Sequence, residues 1–201
     1  MMFDIITIFL VGILLLVAVY TAIQFRGKFP KRTIEDVTPF LRPAEHDELE
    51  SLLDPAQETN FRLRMSPQEF ADWQRRRIHL LREYLLRMSH NALVLIEWGN
   101  METSATGNDA ETVRQRQLMA QELVQAATEF RLYSMLALAR LKLWLVLPSP
   151  FSLLLPSPSL PSMRRLFGID ALGCYQRLKT AASSLSLTHG LQFHDALLER
   201  L

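Results

Sequence analysis

Apolar side chains recur at helical spacing over most of the chain. From residue 67 onward Phe70, Trp73, Leu81, Tyr84, Met88, Ala92 and Leu95 return to one face, interrupted only by Arg77. Ser66-Pro67-Gln68-Glu69 opens this pattern with a serine cap, a proline at the first helical position and a glutamate placed to close a capping box. Gly99-Asn100 predicts its end, giving a helix of about 32 residues. After a small polar loop at 101–107, Asn108-Asp109-Ala110-Glu111 repeats the capping signal. A second stripe follows through Met119, Leu123, Ala126, Phe130, Tyr133, Ala137, Leu141 and Trp144, ending before Pro148. Two long helices with a short connection predict an antiparallel hairpin over 66–147.

A third stripe, Phe167, Ala171, Cys174, Leu178, Ala181 and Leu185, predicts a helix over 163–187, and Gly190 separates it from a short terminal helix, so that 163–201 reads as a C-terminal helical segment. Neither period-two alternation nor a hairpin signal such as Asn-Gly stands in the chain. The expected fold class is all-α.

The N-terminal pattern is different in kind. Residues 5–23 are nineteen uncharged, mostly apolar positions in a row. At about 1.5 Å per residue this run nearly spans a hydrocarbon core of about 30 Å. A cleavable signal would want basic residues ahead of the run and a small-x-small site after it, and neither stands there. Residues 1–25 are therefore expected to form a single transmembrane anchor, with Tyr20 near one interface. Arg26, Lys28, Lys31 and Arg32 follow directly and form its basic flank. The positive-inside bias then places the N-terminus outside and the remainder in the cytoplasm, the membrane being the inner (plasma) membrane.

A net charge of +1 and a hydrophobic share of 49% conceal this segmentation. Residues 24–32 carry +4, 33–60 carry −7 and 61–98 carry +3. A basic collar suits anionic headgroups, whereas the acidic stretch behind it is repelled by them. Pro30, Pro39, Pro43 and Pro55 interrupt that stretch, so 26–65 reads as a collar and acidic linker with one short helix at about 44–53.

Residues 143–163 are a second uncharged stretch with basic residues on both sides, but five prolines exclude a straight spanning helix. Residues 148–162 read as a Pro/Ser-rich hydrophobic connector. Its leucines either pack on the hairpin or dip into the membrane interface, with Trp144, Phe151, Leu153 and Leu154 as the interfacial candidates.

Candidate chemistry is sparse. His79 with Glu83, and His90 with Glu97, share helix faces but form no recurrent metal motif; His189 and His194 stand five apart across Gly190. One cysteine excludes a disulfide framework and a cysteine-based zinc cage, and Cys174 falls in an apolar seam. No nucleophile elbow or phosphate-binding glycine loop is present. These readings predict no catalytic, cofactor or metal site, no small-molecule substrate and no nucleic-acid partner. The remaining candidate is a strip of Arg75, Arg76, His79 and Arg82, which would grip an anionic partner or the chain's own acidic stretch. The expected function is membrane-anchored scaffolding through a helical hairpin that binds a protein or itself. A tethered adaptor gripping an anionic ligand through the strip, and a helical-bundle metalloprotein, are the alternatives.

Overall fold

A computed structural model of the chain describes residues 34–44, 46–104, 106, 109–146, 160–166 and 169–201. All lie within Lys31–Leu201, a compact unit distinct from Met1–Pro30. The described residues are mostly helical. A 3-10 turn at Ile34–Asp36 leads into α1 (Val37–Phe40), α2 (His46–Leu53) and α3 (Pro55–Arg64). The hairpin helices α4 (Pro67–Thr103) and α5 (Ala110–Val146) come next, and α6 (Ala171–Leu187) and α7 (Leu191–Leu198) close the chain.

The all-α expectation holds with one local exception: Arg165–Leu166 pairs antiparallel with Ile169–Asp170, and α6 begins at Ala171 instead of residue 163. Gly168 would cost a helix interior about 1 kcal/mol relative to alanine. The preceding Leu160–Met163 is a 3-10 turn whose last carbonyl accepts a hydrogen bond from the buried Tyr133 hydroxyl at 2.7 Å.

The N-terminus of α4 follows its sequence signal. Ser66 Oγ accepts from the Glu69 amide, and the Glu69 carboxylate accepts from the Ser66 amide at 2.9 Å. The other end does not. Helix α4 runs through Gly99 to Thr103, 37 residues in all. Gly99 is a point of close approach, not a stop: a Cβ there would lie 2.7 Å from Val124 Cγ2 and 3.2 Å from the Ala120 carbonyl oxygen on α5. A glycine reads in sequence as a helix end or as a crossing point, and only the facing helix decides which. Helix α5 is capped by Asp109, whose carboxylate accepts from the Glu111 amide at 3.2 Å and from the Thr112 hydroxyl.

The seam between α4 and α5 is apolar. Ile78, Leu81, Leu85, Met88, Ala92 and Leu95 from α4 meet Leu123, Ala127, Phe130, Tyr133, Ala137 and Leu141 from α5, all fully buried. Each large apolar side chain removed from water contributes about 1.5–3 kcal/mol. Helix α6 packs on α5 through Tyr175, Leu178 and Leu185, the Tyr175 ring lying 5.3 Å from that of Phe130. Cys174 sits only half-buried at the edge of this contact, with Tyr175 taking the core position.

The acidic segment departs furthest from expectation. Instead of a linker with one short helix, residues 34–64 form three helices folded against the bundle, burying Val37, Leu41, Ala44, Leu49 and Leu53. Pro55 starts α3 where a breaker was expected: Asp54 caps the helix by accepting from the Ala56 amide at 2.9 Å.

Polar side chains of the bundle hold this segment by its backbone. The buried Asn91 amide bonds both ways with Arg42, accepting from its N–H at 2.8 Å and donating to its carbonyl at 2.7 Å. His90 Nε2 donates to the Phe40 carbonyl at 3.1 Å, and the Tyr175 hydroxyl faces the carbonyls of Ala44 and Leu201. Arg77, only 4% exposed, turns inward and donates to the carbonyls of Ser51 at 3.3 Å and Asp54 at 3.2 Å. Its guanidinium also approaches Glu58 at 3.8 Å and lies 4.9 Å from the centre of the Trp73 ring. Burial pulls the Arg77 pKa down from its ordinary value, with Glu58 and then Asp54 opposing that pull. The residue that interrupted the apolar stripe is thus the anchor of the acidic helices.

Replacing Arg77 by alanine leaves two part-buried carbonyls and Glu58 without their cation. In urea denaturation we expect a loss of about 2–4 kcal/mol, against less than about 0.5 kcal/mol for Arg76→Ala on the exposed face. Gly99→Val is expected to cost more than about 2 kcal/mol by overpacking against Val124, and Gly99→Ala less, because alanine returns about 1 kcal/mol of helix propensity.

Candidate functional site

Three places concentrate charged or polar groups. The first is the predicted strip. Arg75, His79 and Arg82 lie along one stripe of α4 and Arg76 on the next, all exposed. Arg75 pairs with Asp72 at 3.5 Å, and Arg87 further along pairs with Glu83. Among the described residues no carboxylate lies within ion-pair distance of Arg76 or Arg82. Among the described residues the strip does not itself grip the acidic segment; Arg77, turned about 100° from Arg76, does so.

The second place was not legible in the sequence. Glu102, 2% exposed in the last turn of α4, accepts at Oε2 from Arg116 Nε of α5 at 2.5 Å and at Oε1 from the Trp98 indole at 3.1 Å. His189, in the turn between α6 and α7, brings Nε2 to 3.3 Å from Glu102 Oε1 and 3.1 Å from the Arg116 guanidinium. The rings of Trp98 and Phe193 flank it at 5.9 Å each. A neutral His189 accepts from Arg116, and a protonated one donates to Glu102. Burial depresses the His189 pKa; Glu102 opposes this and Arg116 adds to it. The neutral form therefore prevails at pH 7. The pair Trp98 and Glu102, four apart on one helix, is the one local hint that sequence offers.

The third is an open cleft of about 650 Å³ along α5 and α6, lined by Glu122, Glu129, Asp170, Cys174, Arg177 and Thr180. Arg177 pairs with Glu129 at 2.8 Å. Burial, and next the neighbouring Glu129, push the Cys174 thiol pKa up, opposite to the direction an activated nucleophile needs. Among the residues lining this cleft no histidine stands ready to serve as a base.

The remaining candidates are quickly placed. His90 bonds to a backbone carbonyl and Glu97 is buried beside Arg131, whose charge it favours. Among the described residues no three of histidine, cysteine, aspartate and glutamate converge as metal ligands, and no helix is long and apolar enough to cross a membrane. The anchor at 1–25 with Arg26, Lys28, Lys31 and Arg32, the connector with Phe151, Leu153 and Leu154, and the side chain of Trp144 lie outside the described residues. No family model, curated protein or solved structure matches the chain.

The His189 cluster carries a pH signature. The folded state takes up a proton less readily than the unfolded chain, whose histidine titrates near 6.5. The stability this confers is complete above pH 6.5 and declines as pH falls through the depressed value. In urea midpoints measured from pH 7.5 to 5, the wild type is expected to weaken with a slope of less than one proton. His189→Gln should flatten that part of the curve.

Proposed function

We propose that this chain is a single-pass membrane protein of the inner membrane whose helical body works in the cytoplasm as an interaction or scaffolding module for a protein partner or for a second copy of itself. The observation that carries the reading is the uncharged run at 5–23 followed at once by Arg26, Lys28, Lys31 and Arg32. The body behind it supports the same reading. His90, His189 and His194, the buried Glu102 and the buried Arg77 are engaged in internal contacts, while α4 and α5 present long exposed faces. Leu118 and Leu132 on α5 are exposed apolar positions of the kind that helix pairing covers.

Chemical crosslinking in native membranes followed by purification tests this reading. The expected result is one specific co-purifying protein, or an oligomer that grows with protein concentration, both insensitive to chelators. Extraction at alkaline pH should leave the chain in the membrane fraction. Release into the soluble fraction would overturn the anchor, and a chain recovered only as a monomer without partners would overturn the scaffolding role.

A further inference from the structure

We propose that the solvent face of α4 from Arg75 to Arg87 is a docking surface for an anionic lipid bilayer, an inference that rests on the membrane-anchored reading above. Two features of this face fit lipid better than water. It carries exposed apolar side chains in the middle of its charge, Leu80 at 53% and Leu86 at 46%, interleaved with Arg75, Arg76 and Arg82. Long arginine stems with leucines between them match an interface in which headgroups take the charge and the upper acyl region takes the methyl groups. Arg76 and Arg82 are not engaged by any described carboxylate, so their charge is available to phosphate groups.

The position of the chain's own N-terminal segment points the same way. His79, Leu86 and His90 share one stripe of α4, and His90 lies about three turns and 16 Å beyond His79. His90 holds the Phe40 carbonyl, and the Phe40 side chain beside it is 49% exposed. The segment arriving from the basic collar therefore meets α4 on the face that carries the leucines and arginines. Residues 24–33, between the uncharged run and the first described residue, amount to at most about 35 Å of extended chain. A tether of that length keeps a bilayer holding residues 5–23 at high effective concentration near the body. The charge on either side is complementary: a cationic face with a cationic collar, against an anionic leaflet. A purely acidic polymer would satisfy the arginines and leave Leu80 and Leu86 without an apolar partner, whereas a bilayer supplies both phosphate and acyl chains.

The test uses the full chain in vesicles. In a Cys174→Ala background, Leu80→Cys is labelled with an environment-sensitive fluorophore, with Leu118→Cys on α5 as the reference position. The chain is reconstituted into phosphatidylcholine vesicles with or without phosphatidylglycerol. The proposal expects a blue shift at position 80 in the anionic vesicles only, no shift at 118, and a loss of the shift in 0.5 M salt. It also expects at least about a tenfold weaker response when Arg75, Arg76 and Arg82 are all changed to Glu. All three are exposed, so that variant should retain its helical signal and urea midpoint, and both are checked.

Equal emission in neutral and anionic vesicles, or matching shifts at positions 80 and 118, would overturn the proposal. A shift produced by polyglutamate and not by phosphatidylglycerol would do the same and assign the face to an acidic protein. If the chain does not insert through its N-terminal run, the function proposed above fails. The same probe, with anionic vesicles added from outside, then still decides whether the face binds lipid.

Discussion

The body of this protein is built on one seam, and that seam is tightest where Gly99 has no side chain. At this position α4 approaches α5 so nearly that a methyl group would meet Val124 and the Ala120 carbonyl. A step further along the same seam, the buried Glu102 of α4 meets the partly exposed Arg116 of α5. The facing ends of α4 and α5 are therefore held by packing and charge together. The turn after α6 and helix α7 reach the pair from a distant part of the sequence, laying His189 and Phe193 over Trp98. Tight contact and polar cluster lie side by side along one helix pair.

A second constraint organises what is wrapped around the seam. Short helices such as α1, α2 and α3 leave much of their backbone outside regular hydrogen bonding, and burying them requires donors for their carbonyls. The bundle supplies these from His90, Asn91, Arg77 and Tyr175. The acidic segment is held by its main chain and by Val37, Leu49 and Leu53, with little help from its carboxylates. That explains how a segment with net charge −7 can be part of a folded body without an equal number of cations facing it.

The parts legible in the sequence were those decided within a few residues. The apolar stripe from Leu123 to Leu141 and the box at Ser66 and Glu69 depend on helix periodicity and on a three-residue spacing, and both stand in the structure as read. Asp54-Pro55 carries the same grammar as Ser66-Pro67, and it starts α3 as Ser66-Pro67 starts α4. The rest depended on partners far away in the chain. Arg77 reads as a surface charge until Ser51 and Asp54 are seen beside it. His189 lies 73 residues from Arg116, and nothing local in either residue announces the other. The candidate strip itself was legible as exposed charge, while the leucines that alter its character were not, because an apolar residue in a helix is expected to face the core.

Arg75, Arg76 and Arg77 show how one run of like charge is divided by geometry. Successive helix positions turn by about 100°, so three neighbouring arginines cannot share an environment. Two remain in solvent, and the third passes under α2 and α3 to take their carbonyls. Helices α2 and α3 consequently dock on Arg77's side of α4, while the end of α1 reaches the stripe of His79 further along, at His90. A chain whose formal charges nearly cancel thus folds into a body with a cationic flank and an acidic one. That polarity comes from helical phase: moving the arginine run by a single residue would change which guanidinium enters the core, leave the docked carbonyls without their donor and rotate the exposed charge around the helix.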